Sequence, residues 1–177
     1  MKTQKLIVIA AIVCLLVGAS GAAMAEKKED PNNKCPLGVV IGEVVIGDLT
    51  VGGDCLVSGA IIMGNVIVSN ARTGVFVMYD VVVNGRVKVT GGSAVIYRSV
   101  VVGRNLVVED TVDTIVEYTL VEAGNMRFVG NEQVLIHNNT VNSGNIRCVN
   151  NVGPSGQLGE YATQNRVPNG VITCFGQ

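Results

Sequence analysis

One short phrase returns along the chain at nearly constant spacing, and it restricts the fold more than any other feature. Its copies are Gly85-Arg86-Val87-Lys88-Val89, Arg104-Asn105-Leu106-Val107-Val108, Gly124-Asn125-Met126-Arg127-Phe128 and Gly144-Asn145-Ile146-Arg147-Cys148. Counted from Val87, Leu106, Met126 and Ile146, the steps are 19, 20 and 20 residues, and Gly64-Asn65-Val66-Ile67-Val68 lies 21 residues earlier. Valine-rich segments at such a period, with no helical pattern, predict an all-β parallel β-helix (β-solenoid) of about six coils of roughly 20 residues.

Between Gly42 and Gly64 a shorter step of five to six residues separates Gly42-Glu43-Val44, Gly47-Asp48-Leu49, Gly53-Asp54-Cys55, Gly59-Ala60-Ile61 and Gly64-Asn65-Val66. These read as the single faces of a triangular coil. Glycine with Asp or Asn at each corner supplies positive φ and local side-chain bonds. Asn65, Asn105, Asn125 and Asn145, with Asn70, Asn131 and Asn150/Asn151 after the same strands, are expected to bond up the stack and satisfy turn backbone.

The first 25 residues read as a secretory signal peptide, with basic Lys2 and Lys5, an apolar Leu6 to Val17 and a small-residue site at Ala23-Met24-Ala25. That apolar stretch is too short for a membrane span, so no stable span is expected after cleavage. The expected location is secreted, cell-surface or periplasmic in a bacterium. Residues 26–41 read as a polar leader and cap, 42–148 as the coils, and 149–177 as a loop and final strand. The whole chain carries a net charge of −1, before Lys2 and Lys5 leave with the leader. No nucleic-acid motif is present, and bulk charge does not favour a polyanion.

Four cysteines follow the leader, an even number that suits disulfides in an oxidising compartment. Cys35 and Cys55 are one coil apart, and stacked positions on adjacent coils lie about 4.8 Å from each other, a separation a disulfide tolerates. Cys148 and Cys174 are one coil plus an insertion apart. The expected bridges are therefore Cys35–Cys55 and Cys148–Cys174, one at each end. No CxxC pair or histidine partner supports a metal, and no cofactor is expected.

Within the repeated phrase, strand alternation sends Val66/Val68, Val87/Val89, Leu106/Val108, Met126/Phe128 and Ile146/Cys148 inward. Ile67, Lys88, Val107, Arg127 and Arg147 then face out as a broken basic stripe flanked by Arg86 and Arg104. On a second face, Val75, Ala94, Thr114 and Val134 are expected inside and Phe76, Val95, Ile115 and Leu135 outside. A third face, Val81-Val82-Val83, Val100-Val101-Val102 and Leu120-Val121, reads apolar on both sides. This surplus must be covered by the 149–177 tail, another subunit or a ligand surface. Phe76, Val95, Ile115 and Leu135 are thus the expected assembly surface, and Lys88, Arg127 and Arg147 the candidate contacts for an anionic polysaccharide.

Paired carboxylates on adjacent coils would mark a glycan-cleaving site. The acids Glu109, Asp110, Asp113, Glu117 and Glu122 instead fall on one coil, and His137 has no evident nucleophile beside it. No catalytic residue is assigned. The Gly-Asn copies at 124–131 and 144–151 resemble exported right-handed parallel β-helix repeat proteins of bacteria. The run Gly42-Glu43-Val44 … Gly47-Asp48-Leu49 is similar to bactofilins, which polymerise end to end. Bactofilins are cytosolic and do without disulfides, so the signal peptide and cysteines depart from them. What that resemblance implies is self-assembly, giving a non-catalytic structural, self-assembling or surface-adhesive protein that binds itself or another envelope component.

Overall fold

The computed structural model describes residues 35, 38–70, 72–152 and 164–174. The signal-peptide reading, the leader and cap apart from Cys35 and residues 38–41, and the loop reading over 153–163 lie outside them. Strands β1 to β19 follow chain order, three to a coil, and each pairs in parallel with the strand one coil away. Sheet 1 stacks β1 (Val39–Ile41), β4 (Cys55–Ser58), β7 (Val75–Tyr79), β10 (Ser93–Tyr97), β13 (Asp113–Glu117) and β16 (Gln133–His137). Sheet 2 stacks β2 (Val44–Val45), β5 (Ile61–Ile62), β8 (Val82–Val83), β11 (Val100–Val101), β14 (Leu120–Ala123) and β17 (Thr140–Ser143). Sheet 3 stacks β3 (Leu49–Val51), β6 (Val66–Ser69), β9 (Val87–Thr90), β12 (Leu106–Glu109), β15 (Met126–Val129), β18 (Ile146–Val149) and β19 (Ile172–Thr173). This is a β-solenoid, and its first strand begins at Val39, three residues before the coils were expected to start.

One side of every strand fills the core. Val66, Val68, Val87, Val89, Leu106, Val108, Met126, Phe128 and Ile146 are fully buried, as the alternation required. Both expected disulfides are present, Cys35–Cys55 with Cα atoms 6.1 Å apart and Cys148–Cys174 at 4.7 Å.

The glycine of the Gly-Asn phrase has a packing reason. A Cβ on Gly144 would collide with the Gly124 carbonyl of the coil beneath, and one on Gly85 would press on the backbone of Gly64. At these two positions glycine avoids the clash, while Arg104 fills the same place in the coil between Gly85 and Gly124. The asparagine supplies the link between coils at the corner of sheets 2 and 3. Asp48 Oδ1 accepts from Asn65 N–H at 2.7 Å, and Asn65 Oδ1 from Arg86 N–H at 3.0 Å. Asn105 Oδ1 then accepts from Asn125, Asn125 Oδ1 from Asn145, and Asn145 Oδ1 from Val171.

Two further polar ladders are buried. At the corner of sheets 3 and 1, Asn131 Oδ1 accepts from Thr111 N–H, and Asn151 Oδ1 from Asn131 N–H. At the corner of sheets 1 and 2, Thr119 N–H donates to Asn139 Oδ1 and Asn139 N–H to Asn165 Oδ1. Asn165 belongs to the tail, whose described residues extend the stack rather than wrap its sides. Arg166 bridges to Thr140, and β19 adds a strand beyond β18.

Candidate functional site

Because each coil uses only one side of its strands for the core, function must sit on the outer faces and corners. On sheet 1 the hydrogen-bond register sets the outward column. Val39 pairs with Leu56, Leu56 with Val77, Val77 with Val95, Val95 with Ile115, and Ile115 with Leu135. All six are apolar, and Val39, Leu56 and Ile115 are exposed at 44, 36 and 38%.

Phe76 is not part of this surface. It lies opposite Ala94, is fully buried, and leaves the outward place to Val77. The chain between sheets 3 and 1 is longer before β7 than before β10: six positions separate Ser69 from Val75, whereas three separate their partners Thr90 and Ser93. A constant step from the neighbouring coil therefore misplaces Phe76 by one residue, and a shift of one reverses in and out. Ala94, Thr114 and Val134 are buried as expected, while Val95 and Leu135 are half-buried and Ile115 exposed. Val75, expected inside, is 44% exposed.

Sheet 2 carries a second outward column, Val44, Ile61, Val82, Val100, Leu120 and Thr140. Beside it Ile46, Met63 and Val102 are exposed at 54, 44 and 39%. The tail's Arg166 bridges Thr140 at the end of this second column and β19 joins β18, so the described pairings of the tail are with the last coil.

Sheet 3 carries the basic stripe, and the structure divides it. Lys88 is taken by Glu109 of the adjacent strand, at 3.2 Å. Val107 then separates it from Arg127 and Arg147, which pair across neighbouring strands, are both exposed, and have no ion pair among the described residues. Like charges opposite each other in a sheet repel. The acids spread round one coil: Glu109 on β12, Asp110 at the corner, Asp113 and Glu117 on β13, and Glu122 on β14. Glu122 accepts from Asn142 Nδ2 at 2.6 Å. Among the described residues no group of three His, Cys, Asp or Glu is placed to hold a metal ion, and no helix is long and apolar enough to cross a membrane.

One cluster escaped the sequence reading. Tyr79, Tyr97, Tyr118 and His137 form a ladder along the corner of sheets 1 and 2, with ring centroids 5.3, 5.5 and 6.3 Å apart. Three of the chain's four tyrosines and its single histidine meet there. Their sequence steps of 18, 21 and 19 were the available signal, hidden because Tyr118 occupies the corner while the others end strands. No protein-family model, no curated protein and no solved structure matches this chain.

Proposed function

We propose that this chain is a non-catalytic, exported structural β-solenoid whose copies associate side by side through the outer faces of sheets 1 and 2. The observation that carries this is the unbroken apolar column Val39, Leu56, Val77, Val95, Ile115 and Leu135. Six strands about 4.8 Å apart and three outward positions wide present on the order of 400 Å². That is about half of the ~800 Å² each partner buries in a standard interface. Either face alone would hold a second copy weakly. Two unlike faces on one rod make each copy bivalent, which favours open-ended assembly over a closed dimer. The two disulfides support an oxidising compartment, in keeping with the leader.

Ile115 is an exposed member of the column, between Val95 and Leu135, so Ile115→Lys places a charge where a second copy would press. Light scattering across a concentration series should show the oxidised wild-type chain growing in mass and Ile115→Lys remaining monomeric, with Tm changed by no more than about 3 °C because the position faces solvent. A wild-type chain that stays monomeric at every concentration, or a variant that grows like it, would count against this reading.

The unpaired Arg127–Arg147 couple favours a second reading, in which the protein holds an anionic polysaccharide on sheet 3. Lys88 contributes less than its sequence position suggested, since Glu109 neutralises it. Reversing both arginines to Glu should abolish retention on immobilised polygalacturonate at low salt. Retention equal to wild type would remove this reading.

A further inference from the structure

The corner of sheets 1 and 2 repeats one strained backbone conformation in every coil. Gly42, Gly59, Asp80, Arg98, Tyr118 and Asn138 have φ of 63, 60, 53, 48, 51 and 53°. Glycine, aspartate and asparagine are the residues that tolerate the left-handed region. Arg98 and Tyr118 are not, and both are exposed. The two residues least suited to this backbone are also the two that reach into the aromatic ladder. Arg98 lies 5.7 Å over the Tyr79 ring, donates to Tyr79 Oη at 3.2 Å and pairs with Asp80 at 3.1 Å. Tyr118 stands nearly perpendicular to both neighbours, at 73° to Tyr97 and 85° to His137. Neither ring lies face to face on it, and it is 51% exposed. Tyr79 and Tyr97, by contrast, are stacked within 10° and cover each other's faces.

Strain kept at a surface position that a neighbouring coil fills with asparagine needs a reason outside folding. We propose that this corner binds an extended β-1,4-linked polysaccharide chain, with Tyr118 as its stacking platform. The negative face of an aromatic ring attracts the weakly positive C–H hydrogens on the flat side of a pyranose. Successive coils lie about 4.8 Å apart, close to the length of one sugar in such a chain, so sugars and coils keep step along the corner. Arg98, Asp80, Glu117 and Asn138 place hydrogen-bonding groups beside the rings for sugar hydroxyls. Toward the N-terminal coils the column ends in Ser58-Gly59 and Gly42, where a Cβ added to Gly42 would meet nothing within 4 Å, so the track stays open. The proposal does not rest on self-association, because Tyr118 belongs to the turn between the two apolar faces and to neither face.

The test is calorimetric titration of the oxidised chain with cellohexaose, xylohexaose and chitohexaose, with maltohexaose as the curved control. At least one β-linked hexamer should bind and maltohexaose should not. Tyr118→Asn should weaken that binding about tenfold or more, while Tyr118→Phe, which keeps the ring, stays within about threefold. Tyr118→Asn should also hold Tm within about 3 °C of wild type, since relief of the left-handed tyrosine offsets the lost edge contacts. Failure of every β-linked hexamer to bind, Tyr118→Asn binding like wild type, or a larger fall in its Tm would each overturn the proposal. The last of these would mean that the ring holds the corner together.

Discussion

Replacing Cys148 and Cys174 with serine should release the last coil and destabilise the protein by about 3.5 kcal/mol, the loop-closure value for a 26-residue separation. The reason lies in the one-dimensional character of the fold. Each coil touches only its neighbours, so the end coils have half the contacts of the middle ones and open first. At this end β19 contributes two residues, joined through Ile146↔Ile172 and Arg147↔Thr173. Without the bridge these pairs and the hydrogen bonds of Asn165, Arg166 and Val171 to the last coil must hold the tail. The Cys35–Cys55 bridge spans 20 residues and does the same work at the other end. Removing both should take away on the order of 7 kcal/mol, comparable to the whole stability of many domains. Guanidinium unfolding would report the total, and amide exchange would locate it. Protection should fall in β17 to β19 for the first variant while β9 to β12 keep theirs. A uniform loss along the stack would show that the coils open together and that the bridge acts through the unfolded chain alone.

The fold was legible because the repeated phrase states its own register. From Val87 to Ile146 the coils differ in length by one residue, and the expected alignment of Val87, Leu106, Met126 and Ile146 is the hydrogen-bonded one. The bridges followed from the same arithmetic. What the period could not carry was phase across a corner of variable length. The longer passage before β7 moved Phe76 inside, and the hydrogen bonds of β10, not the count of residues, decide that position. The sign of a charge was legible but not its company. Lys88 and Arg127 share one outward column, and only the fold places Glu109 beside the lysine. The aromatic ladder was hidden for a related reason. Tyr118 pairs in space with residues that end strands, whereas it sits in the turn itself, so no single strand template brings the three tyrosines into one column.

Asparagine was read correctly as a stacking residue at Asn65, Asn105, Asn125, Asn131, Asn145 and Asn151, whereas the buried side-chain amide of Asn70 makes no hydrogen bond among the described residues. The worth of such a residue depends on burial, and Asn139 shows how much. It is fully buried, and its side chain accepts from Thr119 N–H at 2.9 Å and donates to Val116 O at 2.8 Å and to Asn165 Oδ1 at 3.1 Å. Asn139→Ala removes all three bonds at once; Asn165 Oδ1 keeps the Asn139 N–H, but Thr119 N–H and Val116 O lose the side chain with no water to turn to. At 1–3 kcal/mol for each orphaned group, the loss should be about 4 kcal/mol. Asn125 makes the same kind of link at the outer corner, accepting from Asn145 N–H at 2.9 Å, but there water reaches the freed groups. Asn125→Ala should therefore lose less than about 1 kcal/mol. The two variants differ in burial far more than in chemistry, and denaturant unfolding of the pair measures that difference. Similar losses at both sites would mean that the ladders act through coil spacing rather than through buried hydrogen bonds. A large loss at Asn139 alone would explain why the solenoid keeps asparagine and threonine at corners enclosed by its own core: a polar side chain there satisfies the backbone of the next coil, which an apolar residue of the same size would leave unbonded.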